Sequence, residues 1–91
     1  MSYTLNQLLN RLSFRQLQVF MIVYEVRGYS KAAETLGLTQ PAVSSQIRLL
    51  EQAFEQPLFE YVGKKLYTTP AGELLAQSVL QIFDQLSQLQ N

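Results

Sequence analysis

No cysteine and no histidine occur among the 91 residues. Their absence excludes disulfides, thiolate nucleophiles, zinc sites of the usual kind and imidazole acid–base chemistry. Little remains from which to build a catalytic centre, and an enzyme is not expected. Long apolar runs are missing as well. The longest, residues 19–24, is six residues, against the ~20 that span a bilayer. Near the N-terminus Leu5, Leu8, Leu9 and Leu12 are interrupted by polar residues and no small-residue cleavage site follows, so the pattern is not that of a signal peptide. A chain without cysteine fits the cytoplasm. There is also no excess of either charge, with seven basic and seven acidic side chains. No phosphate-cradling glycine loop and no metal-ligand cluster can be found, and Glu51 and Glu55 read as a solvated helix end.

What is present describes one small globular domain. Hydrophobic residues make up 47% and charged residues 15%, and a chain of this size buries roughly 64% of its unfolded surface, enough for a single core. The charges are unevenly placed. Residues 1–50 carry Arg11, Arg15, Arg27, Lys31 and Arg48 against Glu25 and Glu34, a balance of +3, and residues 51–91 carry the compensating −3. A polyanionic partner would be held by the first half and by the Lys64-Lys65 pair.

Punctuation along the chain predicts five helices and a hairpin. Leu5, Leu8, Leu9 and Leu12 share one helical face. Ser13-Phe14-Arg15-Gln16 is a capping box opening a helix over 14–27, whose broad apolar surface predicts a central position, with Phe14, Phe20 and Phe54 as core candidates. Gly28 is expected to close it in the left-handed region, and Ser30 to cap a short helix that Gly37 ends. Thr39 caps a helix running to about 54, with Gln40 and Pro41 in its first turn. Val43, Ile47, Leu50 and Phe54 form its apolar line, and Gln40, Ser44, Ser45, Arg48 and Gln52 its opposite face. After Pro57, two short strands flank Gly63-Lys64, a spacing that suits a type II′ turn. Thr69-Pro70 opens a last helix. Along it Leu75, Val79, Ile82, Leu86 and Leu89 are spaced 4, 3, 4, 3, an a/d seam that predicts pairing with a second copy.

Residues 29–48 form the informative stretch. Small Ala32 and Ala33 allow two helices to cross closely at the Gly37 turn, which is helix-turn-helix geometry. The free face of the second helix is short, polar and nearly uncharged. Gln40 can meet adenine, Ser44 and Ser45 several base edges, and Arg48 a guanine or a phosphate. Taken alone, this face is either a solvated surface or a reading surface, and Lys64 and Lys65 are either a solvated hairpin tip or phosphate contacts. The elements together are mostly α: a winged helix-turn-helix with a two-stranded β wing and a long C-terminal helix.

The run SKAAETLGLTQPAVSSQIRLLE at residues 30–51 resembles the N-terminal DNA-binding domain of LysR-type bacterial transcriptional regulators. Ser13-Phe14-Arg15-Gln16-Leu17, Leu58-Phe59-Glu60 and Thr69-Pro70-Ala71-Gly72 continue the match, which covers residues 12–89. Val62-Gly63-Lys64-Lys65-Leu66-Tyr67 is similar to the subgroup controlling Calvin-cycle operons.

The resemblance implies an N-terminal extension at 1–12, a DNA-binding domain at 13–68 with its wing at 58–68, and a linker helix at 69–91. It implies sequence-specific binding of double-stranded DNA by recognition-helix residues Thr39, Gln40, Pro41, Ser44, Ser45 and Arg48. Ser30, Lys31 and the wing lysines Lys64 and Lys65 would hold phosphates, and Arg15 would join them. The linker helix would form a homodimer through Leu75, Val79, Ile82, Leu86 and Leu89, matched to an inverted-repeat operator. Longer members continue into a domain that binds a small inducer and assembles tetramers, so the chain reads as the DNA-binding part of such a regulator. It would work in the bacterial cytoplasm at the nucleoid, with no cofactor and no membrane partner.

The sequence departs from the family at three points. Phe54-Glu55-Gln56-Pro57 stands where the family has a glycine after the recognition helix. Tyr61 stands where it has arginine, so the cation expected at one phosphate contact is missing. The extension through Arg11 is longer than usual. The competing reading is a winged helix that binds proteins and dimerises without DNA, in keeping with the zero net charge.

Overall fold

The computed structural model describes residues 3–90. Five helices and one hairpin follow one another as α1 (Leu5–Arg11), α2 (Phe14–Val26), α3 (Tyr29–Leu36), α4 (Gln40–Phe54), β1 (Phe59–Val62), β2 (Lys65–Thr68) and α5 (Pro70–Ser87), closed by a 3₁₀ turn at Gln88–Gln90. None of these helices is long and apolar enough to cross a membrane. Four of the five begin at a hydroxyl cap. Thr4, Ser13, Thr39 and Thr69 each accept a hydrogen bond from the amide three residues on, and at Thr4 and Ser13 a glutamine returns the bond as a capping box. Each such cap satisfies an orphan amide and is worth about 1 kcal/mol.

Helix α2 is the centre of the molecule and packs against α3, α4 and α5. Its Val19, Phe20 and Val23 are fully buried, together with Val43, Ile47 and Leu50 of α4, Leu58 before the wing and Val79 of α5. Phe14 is not part of this core. It is 62% exposed, because the first residue of α2 lies beyond the packed middle of the helix, and its ring lies 6.5 Å from that of Phe83 in α5. The leucines of α1 divide in the same way. Leu12 packs against the core and Leu8 is half-buried, whereas Leu5 and Leu9 face solvent.

The turn from α2 to α3 differs from the sequence expectation by one residue. Arg27, not Gly28, occupies the left-handed region (φ 57°, ψ 48°), and Gly28 is extended at φ −177°. A non-glycine residue there costs roughly 1–2 kcal/mol. The Arg27 side chain offsets part of that cost: its Nε donates to the Tyr24 carbonyl at 2.6 Å and its guanidinium lies 4.8 Å from the Tyr24 ring. With Gly28 at the cap position, α3 starts at Tyr29 without a side-chain cap, and Ser30 sits inside its first turn rather than before it.

The hairpin pairs Val62 with Lys65 across Gly63-Lys64. Gly63 has φ 65° and Lys64 has no positive φ, the signature of a type II′ turn. The base of the wing is tied to α5 through Thr69. Its hydroxyl donates to the Pro57 carbonyl at 2.6 Å while accepting from the Gly72 amide at 3.1 Å, and its own amide donates to the Leu58 carbonyl at 3.0 Å. Gly72 lies directly against this knot. A methyl group there would run into the Leu58 carbonyl oxygen and the Thr68 side chain.

Candidate nucleic-acid interface

Helices α3 and α4 cross at the Gly37 turn, where Gly37 is left-handed (φ 68°) and the Leu38 amide reaches back to the Ala33 carbonyl at 2.9 Å. Ala32 and Ala33 are buried beneath the crossing. Helix α4 thereby turns one face into the core and leaves the other outside. At 100° per residue, Pro41, Ser45, Arg48 and Gln52 fall within about 60° of each other on the outer face, and all four are exposed. Gln40 and Ser44 border that stripe. Gln52 extends it by a turn and was not among the site residues expected from sequence.

Each expected residue has a definite local setting. Thr39 is exposed and accepts from the Ala42 amide at 3.2 Å through its hydroxyl, which leaves the hydroxyl proton available to a partner. The two serines differ. Ser44 is half-buried and donates its hydroxyl to the Pro41 carbonyl at 3.2 Å, whereas Ser45 is exposed. Of the pair, Ser45 is the more exposed. Arg48 is exposed one turn further on, and Ser30 and Lys31 are exposed in the first turn of α3. The Lys31 stem lies against the side-chain-free surface of Gly28. Lys64 and Lys65 are exposed at the wing tip. Arg15 is exposed in the first turn of α2, its guanidinium donating to Gln18 Oε1 at 2.8 Å.

Two further residues of the site escaped the sequence reading. Glu51 is not a solvated helix end: its Oε2 accepts from the Leu58 amide at 2.8 Å, which ties the end of α4 to the start of the wing. The signal lay in Pro57, which has no amide of its own and leaves Leu58 as the first donor beyond the Glu55 and Gln56 amides that close the helix. Tyr29 is the second. It packs edge-on to Phe59 at 6.3 Å and lies 6.2 Å from the Tyr61 ring. Burial pushes its hydroxyl up to about 12, with Glu51 and Tyr61 acting in the same direction and Arg48 opposing them. Tyr29 therefore stays protonated at the meeting point of α3, α4 and the wing.

The turn after α4 is made without glycine. Glu55 takes the left-handed position (φ 57°, ψ 34°), its amide reaching the Glu51 carbonyl. Helix α1 packs against α4, with Leu8 beside Ala53, Phe54 and Glu55.

Helix α5 presents a second, apolar surface. Val79 is fully buried in the domain's own core and Leu75 packs against it, because the first half of α5 lies across α2. The five-residue seam read from the sequence is therefore split, and Val79 is a core residue rather than a contact for another chain. Ile82, Leu86 and Leu89 are exposed, as are Leu74 and Leu80. Beside the first half of α5 runs an apolar groove of about 380 Å³ lined by Phe54, Leu58, Pro70, Ala71, Leu74 and Leu75.

Residues 14–73 match the family model described as bacterial regulatory helix-turn-helix protein, lysR family. A RuBisCO operon transcriptional regulator of Acidithiobacillus ferrooxidans is 45% identical over 74 residues, 81% of this chain and 24% of that protein. The chain spans about a quarter of the length of the curated relatives it matches. A crystal structure of a LysR-family transcriptional regulator from Eggerthella lenta DSM 2243 is similar with a TM-score of 0.70 and 44% identity, over 75% of this chain and 96% of that one. The crystal structure of the BenM_DBD/catB site 1 DNA complex reaches a TM-score of 0.79 at 31% identity, over 86% and 88% of the two chains.

Proposed function

Because the chain belongs to the lysR family of bacterial regulatory helix-turn-helix proteins, we propose that it binds double-stranded DNA sequence-specifically as the DNA-binding domain of a transcriptional regulator. The observation that carries this reading is the outer face of α4. A helix that enters the major groove needs short hydrogen-bonding side chains and nothing bulky to hold it away. Pro41, Ser45, Arg48 and Gln52, bordered by Gln40, provide such a face. Gln40, Ser45 and Arg48 read bases. Thr39, Ser30, Lys31, Arg15, Lys64 and Lys65 set the register on phosphates. The wing lies on the backbone beside the neighbouring minor groove. The relatives named for RuBisCO operons favour genes of carbon dioxide fixation as targets, and the site of action is the cytoplasm.

Two copies pair through α5 about a two-fold axis. An antiparallel pairing of the two helices sets Ile82, Leu86 and Leu89 of one copy against the groove beside Leu74 and Leu75 of the other, which gives each exposed apolar surface a partner. The resulting dimer calls for an inverted-repeat site. A longer parent chain would add the inducer domain and the tetramer.

Selection of bound duplexes from a random pool, followed by titration at two salt concentrations, tests the reading. A recovered inverted repeat bound far more tightly than a scrambled duplex supports it. Lys64→Ala with Lys65→Ala is expected to flatten the salt dependence by about one unit per lost contact. Dimerisation without any duplex preference would instead favour a protein-binding module.

A further inference from the structure

Strand β1 alternates, so Phe59 and Tyr61 share one face of the hairpin. Phe59 is buried on that face, 5.3 Å from the Phe20 ring and 6.3 Å from Tyr29. Tyr61 carries the same face past the edge of the core, where it is 59% exposed. Its ring is 6.2 Å from Tyr29, and its cross-strand neighbour Leu66 is buried. Tyr29 opens α3 just ahead of the exposed Ser30 and Lys31 and is close enough to Arg48 to feel its charge. Tyr61 thus stands at the seam where the start of α3, the middle of α4 and the wing converge.

In the bound arrangement argued above, α4 occupies a major groove and the wing lies at the adjacent minor groove. Adjacent grooves are separated by a phosphodiester strand, so one such strand passes between helix and wing, and the seam faces it. We propose that Tyr61 donates its phenolic O–H to a phosphate of this crossing strand, with the Tyr29 ring holding it in place. The inference rests on the DNA-binding reading and adds to it a contact that no cationic side chain supplies. A hydroxyl provides a hydrogen bond without a charge, so it displaces no counterion, unlike Lys64 or Lys65. A tyrosine ring also loses little conformational freedom on docking. Tyr29 is a neutral phenol near pH 7, so it puts no negative charge beside the phosphate.

The test compares the full 91-residue chain with Tyr61→Phe and Tyr61→Arg by fluorescence anisotropy. The probes are the duplex selected from the random pool and a scrambled duplex of equal length, at two salt concentrations. Tyr61→Phe is expected to weaken both duplexes by the same factor, roughly threefold to tenfold. Its salt slope and thermal midpoint should stay unchanged. Tyr61→Arg should bind both more tightly and steepen the salt slope by about one unit. Unaltered binding by Tyr61→Phe, or a loss confined to the selected duplex, overturns the phosphate contact and leaves the DNA-binding reading standing. Failure of the unmodified chain to bind either duplex overturns that reading and this contact with it.

Discussion

Helices α4 and α5 start alike and end differently. Both open at a threonine cap with a proline in the first turn, and both turn an apolar line into the same core. Their outer faces are opposites. That of α4 is Pro41, Ser45, Arg48 and Gln52, polar and nearly uncharged. Helix α5 instead leaves Leu74 and Leu80 exposed and, where its core-facing line runs past the body of the domain, Ile82 and Leu86, with Leu89 in the turn that follows. Hydrogen-bonding groups gain specificity only against a partner that offers matching edges, and apolar groups gain only by leaving water. One helix is therefore suited to reading a polar surface and the other to pairing with its like.

The contrast breaks most severely at the anchor of α5. Gly72→Ala forces a methyl into the Leu58 carbonyl and Thr68 and is expected to cost about 3 kcal/mol of stability, measured by urea denaturation. It should loosen wing and linker helix together. Next in size is the outer half of α5. Ile82→Gln with Leu86→Gln removes apolar surface that is already exposed, so the monomer should unfold as before. Sedimentation should show the dimer weakened by roughly 2 kcal/mol. A dimer of unchanged strength would place the pairing surface elsewhere.

The polar helix gives the next largest effect. Arg48→Ala is expected to cost roughly 1–2 kcal/mol of binding to a selected duplex and to relax preference at one base position. A uniform loss on all duplexes would make Arg48 a phosphate contact. The smallest effect sharpens the comparison at the junction behind α4. Glu55→Gly relieves the left-handed turn but removes an interaction of Glu55 and adds freedom to the unfolded chain, so stability is expected to change by no more than about 1 kcal/mol. Base preference should be unchanged, since Glu55 caps the far end of α4, beyond the residues that read bases.

Much of this was legible in the sequence because the signals are local. A cap spans four residues, so Ser13, Thr39 and Thr69 announced their helices. The Gly63-Lys64 turn announced the hairpin. The apolar breadth of residues 14–26 announced the central helix. The candidate site was legible to the extent that helical spacing sorts α4 into an inner and an outer face. Spacing could not say that Ser44 spends its hydroxyl on Pro41, nor that Arg27 rather than Gly28 bears the left-handed turn. The first depends on how the backbone sits at the start of α4, and the second on the reach of the Arg27 side chain to Tyr24.

The sequence by itself determined the order of the elements, the polar composition of α4 and the apolar repeat of α5, since each is written within a few turns of chain. Only the tertiary structure decided that Val79 belongs to the core while Leu86 does not, that Glu51 fastens the wing, and that Tyr29 meets Tyr61. Those contacts join residues distant in the chain. Their geometry is set by the angles at which helices and hairpin pack, which no single segment encodes.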